Sequence, residues 1–156
     1  MALIIDKFDK KILRILQKNS KISNAALAKE IGLTAPAALE RVKKLQKNDI
    51  IIGYQVILNK KKLGKGLTCF IALNLEHHNK PSTDAFIEKH LKRLGEIEEI
   101  NLVTGRHDYL LKVNLRDVEE LREFIFEKLT KIEFISKVET FLSLSSINNP
   151  NLNLID

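Results

Sequence analysis

Ala37, Arg41 and Lys44 stand at i, i+4 and i+7, a spacing that puts them on one face of an α-helix, with Glu40, Lys43 and Lys47 beside them. Such side chains suit recognition of a polyanion with readable edges. A guanidinium gives paired hydrogen bonds to guanine, a carboxylate accepts from the cytosine amino group, and ammonium groups neutralise phosphates. Thr34, Ala37, Glu40 and Arg41 are therefore the candidates for major-groove contact, and Lys43, Lys44 and Lys47 those for phosphate contact. A charged outer face is also what any solvated amphipathic helix presents. The setting favours DNA here: a short helix and a glycine turn come just before, and the whole region is basic.

Charge is divided unevenly along the chain. Residues 1–66 hold 15 Lys and Arg against 5 Asp and Glu, a net of +10, whereas residues 67–156 hold 11 against 15, a net of −4. A polyanion-binding part joined to a mildly acidic part is the simplest reading. Stacking platforms for single-stranded RNA need several aromatics, and only Phe8 and Tyr54 occur in the first 66 residues, so double-stranded DNA is the expected partner.

Catalysis finds little support. His77, His78, His90 and His107 are the histidines, and adjacent residues such as His77 and His78 point to opposite faces of a strand. No zinc-protease, nucleophile-elbow, phosphate-loop or dinucleotide pattern occurs. The single cysteine, Cys69, excludes an internal disulfide and a cysteine-rich zinc site. No metal, cofactor or enzymatic role is expected. No apolar run approaches the length of a membrane span, and Ala2-Leu3-Ile4-Ile5 is closed by Asp6, too short for an export signal, so a cytoplasmic location and no membrane partner are expected.

The elements that must hold these residues follow from caps and periodicity. Asp6 or Asp9 can cap a first helix with Phe8, Ile12, Ile15 and Leu16 inward; Ser23 can cap a second, stopped by Gly32; Thr34 can cap a third, with Pro36 in its first turn and Ala38, Leu39, Val42 and Leu45 buried. Asn48-Asp49 is the expected stop. Ile50–Leu58 reads as extended chain, and Lys60–Gly66 as a linker. Strands are then expected at Leu67–Glu76, Ile97–Thr104, Asp108–Leu115 and Ser136–Ile147, with helices at Pro81–Leu94 and from Asp117 through Thr130. The order β-α-β-β-α-β is the ferredoxin-like split βαβ arrangement. The expected fold is α+β: a winged helix-turn-helix over 1–53, a linking strand and hinge over 54–66, and an α/β sandwich over 67–156. One sheet face would be left open, and the phase of the first strand (Cys69, Ile71, Leu73 and Leu75 against Phe70 and Ala72) does not say which.

Six blocks in order carry a resemblance: Asp9-x-x-Ile12-Leu13-x-x-Leu16-Gln17, Ile22-Ser23-Asn24-x-x-Leu27-Ala28, Ile31-Gly32-Leu33-Thr34, Leu39-Glu40-Arg41-Val42-x-x-Leu45, Ile51-x-Gly53-Tyr54, and Leu102-Val103-Thr104-Gly105-x-x-Asp108-Tyr109-Leu110-Leu111. Over about residues 6–147 the chain resembles the leucine-responsive/asparagine-operon (Lrp/AsnC) regulators. It departs at Thr34-Ala35-Pro36, where the proline is shifted by one, at Asp49, where glycine is common, and at Gln46, where Glu is usual. These departures point to an altered operator preference.

The resemblance implies a sequence-specific transcription regulator whose second domain pairs open sheet faces into a homodimer, builds toward an octamer, and binds a small-molecule effector, an amino acid. Val56, Ile57 and Leu58 would belong to the strand linking the domains. It also implies that the loop Thr104, Gly105, His107 and Asp108 helps bind that effector. Asp108 would pair with its ammonium group or fix the loop through backbone N–H groups, with Ser136 and Glu139 as weaker candidates for the facing wall. By residue type alone the same loop is a hairpin turn. An architectural, chromatin-like DNA protein without effector is the alternative reading.

Overall fold

A computed structural model describes residues 5–76 and 81–147, which divide into two compact units, the chain passing from the first to the second between Ile57 and Leu58. The first unit carries three helices, α1 (Lys7–Lys18), α2 (Asn24–Ile31) and α3 (Ala35–Lys47). Each starts where a short polar side chain can take orphan amide N–H groups. Asp6 accepts from the N–H of Phe8 and Asp9, and the Asp9 carboxylate accepts from the N–H of Asp6 in return, a reciprocal capping box. Ser23 accepts from the Ala26 N–H and Thr34 from that of Ala37. Gly32 ends α2 at φ 76°, and Asp49 takes φ 55° just beyond α3. Ile12, Leu13, Leu27, Ala28, Ile31, Ala38, Val42 and Leu45 form one buried cluster, so the three helices are packed by a shared apolar centre.

Beyond α3 the structure departs from expectation. Residues 50–58 form no hydrogen-bonded ladder, and Ile52, Val56, Ile57 and Leu58 stay largely exposed. A strand exists only against another edge, and nothing in residues 5–49 supplies one, so the expected wing and linking strands are unpaired in a single chain.

The second unit is a four-stranded antiparallel sheet: β1 (Leu67–Leu75), β2 (Ile97–Leu102), β3 (Tyr109–Leu115) and β4 (Ile135–Leu142), in the order β2-β3-β1-β4. Helix α4 (Pro81–Leu91) and helix α5 (Val118–Glu123) complete the expected βαββαβ order. The phase of β1 is now fixed. Cys69, Ile71, Leu73 and Leu75 face the helices, packed with Ile87, Leu91, Leu121, Phe124 and Leu129, and the alternate residues of β3 join them. The other face carries Phe70, in register with Phe141 on β4 and Lys112 on β3.

Two boundaries moved for physical reasons. The helix capped by Asp117 leaves α geometry after Glu123, and Phe124–Leu129 winds more widely, with the Thr130 N–H reaching back five residues to the Ile125 carbonyl. Strand β4 ends at Leu142 rather than Ile147 because its partner β1 begins at Leu67, and the last bond runs from the Ser143 N–H to the Thr68 carbonyl.

Candidate nucleic-acid interface and ligand loop

Burial of Ala38, Val42 and Leu45 rotates α3 so that Thr34, Ala37, Glu40, Lys43, Lys44 and Lys47 are exposed. Glu40, Lys43, Lys44 and Lys47 line an open cleft of about 530 Å³, together with Arg41, Asp6 and Asp9. Lys43 makes only a long, exposed pair with Glu40 at 3.7 Å, and Lys44 and Lys47 make no ion pair among the described residues. A row of hydrated ammonium groups is what a phosphate backbone displaces counter-ions to meet.

Arg41 is the exception among these residues, being half-buried. Its spacing pointed to guanine, but Nη1 already lies 2.7 Å from Asp6 Oδ2 and 2.8 Å from Asp9 Oδ1, and the guanidinium sits 5.3 Å from the Phe8 ring centre. The cause is Asp9, the one charged side chain buried among the described residues, since a buried carboxylate without a partner is costly. Asp6 is held below the ordinary carboxylate range, first by the Asp9 N–H it accepts and further by Arg41, against some desolvation. The two carboxylates in turn raise Arg41, Asp9 contributing most. Sequence reading recognised Asp6 and Asp9 only as caps; nothing in the spacing tied them to a residue on the third helix.

In the second unit, the loop between β2 and β3 is bonded down onto β1. The Asp108 N–H donates to the Leu73 carbonyl, the Val103 N–H donates to the Asp108 carbonyl, and the Asp108 carboxylate accepts the Leu75 N–H at 2.7 Å. Of the two roles open to Asp108, this geometry displays the fixing of the loop. Asn74, which sequence reading passed over, is the hub: its amide donates to the Arg106 carbonyl, and its Oδ1 accepts from His107 Nδ1 at 3.0 Å. His107 Nε2 then faces Glu139 Oε2 at 3.5 Å, and Ser136 Oγ donates to the Asn74 carbonyl. His107, Glu139 and Ser136 thus gather around one strand end, while Thr104 and Gly105 project as the exposed tip. The only signal for Asn74 was a polar residue in an apolar strand of unknown phase.

Of the other histidines, His90 is bonded through Nδ1 to the Phe86 carbonyl of its own helix, and His77 and His78 lie outside the described residues. The described residues contain no group of three or more side chains able to hold a metal ion, and no helix among them is long and apolar enough to cross a membrane.

A helix-turn-helix with a cationic outer helix, followed by a one-sided βαββαβ sheet, defines a two-module transcriptional regulator. Residues 5–46 match the AsnC-type helix-turn-helix domain and residues 68–151 the Lrp/AsnC ligand binding domain. The chain is 37% identical over 146 residues to the transcriptional regulator AzlB of Bacillus subtilis, covering 94% of this chain and 92% of that one. It is 35% identical to the leucine-responsive regulatory protein of Haemophilus influenzae, covering 94% and 88%. Among solved structures it is similar to AsnC of Escherichia coli (30% identity, TM-score 0.81, 98% and 99% covered), and it shares the fold of a Neisseria meningitidis transcriptional regulator solved with L-methionine (24% identity, TM-score 0.89, 97% of each). The chain belongs to the Lrp/AsnC family of transcriptional regulators. Its homologues are regulators and not enzymes, which decides against a catalytic role for the histidines.

Proposed function

We propose that this protein binds double-stranded DNA sequence-specifically through α3 and that an amino acid, bound at the β2–β3 loop, modulates that binding. The observation that carries the DNA reading is the exposed row Lys43, Lys44 and Lys47 on a helix whose N-terminal end, Thr34, Ala37 and Glu40, is also exposed. The N-terminal end of such a helix approaches base edges while its basic residues meet phosphate. Glu40 accepts from a cytosine amino group, and Thr34 and Ala37 make close groove contact. Two copies, one helical turn of DNA apart, read a near-palindrome, and dimers assemble toward an octamer. The protein works in the cytoplasm, where the DNA of its bacterial relatives lies.

The effector reading is supported by the match of residues 68–151 to a ligand binding domain and by relatives named as leucine-responsive. Thr104, Gly105 and His107 line the effector's site. Asp108 holds the loop in shape from below and offers its carboxylate to the effector's ammonium group. Effector occupancy shifts the assembly only to the extent that it prefers one arrangement of subunits.

Selection from a randomised duplex pool, with and without each of the twenty amino acids, tests both halves, followed by Kd measurements across salt. The expected result is one enriched near-palindrome, an affinity that falls steeply with salt, and a shift in affinity with one or a few amino acids. Affinity that ignores salt would overturn the DNA half. Equal binding to all duplexes would favour a packaging role over a regulator, and indifference to all twenty amino acids would remove the effector half.

A further inference from the structure

We propose that Arg41 is a positioning residue: it fixes α3 on α1 through Asp6 and Asp9, and it neither reads a base nor neutralises a phosphate. This rests on the reading of α3 as the DNA-contacting helix. A single nitrogen, Nη1, serves both carboxylates, at 2.7 and 2.8 Å. Those carboxylates are not loose surface groups, because the capping box ties each to the other's backbone at the start of α1. Arg41 therefore grips a preformed acidic pair, and Asp9 behind it is buried.

Charge counting points the same way. Two carboxylates and one guanidinium leave this corner of the cleft with a net negative charge, beside Lys43, Lys44 and Lys47. Moving Arg41 to a base would strip the acids of their cation and leave both facing phosphate. Arg41 also immediately precedes Val42, within the buried stripe Ala38, Val42 and Leu45, so holding it fixes the rotation of α3 about its own axis. That rotation determines which of Thr34, Ala37, Glu40 and Lys44 reach the groove.

The test uses the full chain, a duplex that the wild type enriches from a randomised pool, and a scrambled duplex of the same composition. Affinity for both is measured across salt, well below the melting temperature, for Arg41→Gln, Arg41→Lys, the pair Asp6→Asn with Asp9→Asn, and the combination of Arg41→Gln with that pair. Asn keeps the cap acceptor but removes the charge and replaces the oxygen that accepts from Arg41 with an amide N–H donor. The expected result is that Arg41→Gln and the acid pair each lower the selected-to-scrambled ratio by about tenfold. Combining them lowers it no further, and the salt slope stays at the wild-type value. Arg41→Lys keeps most of the ratio, because one nitrogen suffices for both acids.

Three outcomes overturn the inference. A ratio that rises in the acid pair but collapses in both Arg41 variants marks a base reader. A salt slope reduced by about one in Arg41→Gln marks a phosphate contact. A lower melting temperature with an unchanged ratio marks a stabilising contact with no influence on reading. A wild type that enriches no duplex overturns the DNA reading, and the inference falls with it, so the two failures are told apart by the wild type alone.

Discussion

The carboxylate of Asp108 accepts the backbone N–H of Leu75 at 2.7 Å, at the point where β1 slips out of register with β4. The pairing of β1 with β3 ends at Leu73 opposite Tyr109, so the Leu75 N–H lies beyond that ladder, and a side chain from the β2–β3 loop supplies its acceptor. The loop is thereby anchored to the sheet. Asp108→Ala leaves a partly buried N–H without this acceptor, at a cost of about 1–2 kcal/mol. Urea denaturation should show the loss, whereas Asp108→Asn, which keeps an acceptor oxygen, should retain most of the stability. Equal losses in the two variants would mean that the charge of Asp108 matters more than the bond.

Gly105 lies at φ 119°, where side chains are strained, although a Cβ there would meet no atom within 4 Å. The expected cost of Gly105→Ala is therefore conformational, about 1–3 kcal/mol, paid by reshaping the loop tip rather than by unfolding. Calorimetric titration with whichever of the twenty amino acids shifts DNA affinity should show weakened binding while affinity for a selected duplex stays within about twofold of wild type. If both fall together, the loop serves the fold and not the ligand.

Acid should loosen the first unit through Asp6. Its folded pKa lies below the ordinary 3.8, chiefly because the Asp9 N–H donates to it, with Arg41 adding to the effect. A depressed carboxylate contributes stability that is complete above its unfolded value and is lost as pH falls through the lower folded value. The contribution is thus constant from neutral pH down to about 5, falls progressively below that, and is gone only below the lowered folded value. Glu120, lowered first by Lys65 and then by the Arg116 N–H, acts in the same direction in the second unit. Melting curves from pH 7 to pH 3 should bend downward in this range, and Asp6→Asn should bend less. A variant as acid-sensitive as wild type would locate the acid response elsewhere.

The caps explain why so much of the helix-turn-helix was readable in advance. Asp6, Ser23, Thr34 and Gly32 act on residues within four positions of themselves, so their roles are written locally. The same holds for the βαββαβ order of elements along the chain, which follows from alternating patterns and caps. What stayed hidden was long-range. The Arg41–Asp9 pair spans 32 residues and the Asn74–His107 bond spans 33, and no spacing rule links such positions. The strand expected after Asp49 failed for another reason: extended, apolar sequence was present, but pairing also needs an edge to pair with.

Lys44 and Glu40 should respond in opposite ways, which makes them the sharpest pair for testing the outer face of α3. Both are exposed in the same cleft, and Lys44 makes no ion pair among the described residues. A lysine that contacts a phosphate releases one condensed counter-ion, so Lys44→Ala should flatten the plot of log affinity against log salt by about 0.9, equally for selected and scrambled duplexes. Glu40 repels the backbone, and its only ion pair among the described residues, with Lys43, is long and exposed. Glu40→Gln should therefore strengthen binding to scrambled DNA. If Glu40 also accepts from a cytosine amino group, the same change should relax discrimination at one base pair by about 1–3 kcal/mol. Fluorescence anisotropy over a salt series separates these effects, because repulsion is screened by salt and base readout is not. Loss of discrimination in Lys44→Ala, or none in Glu40→Gln, would shift the reading edge of α3 away from Glu40 toward its C-terminal lysines.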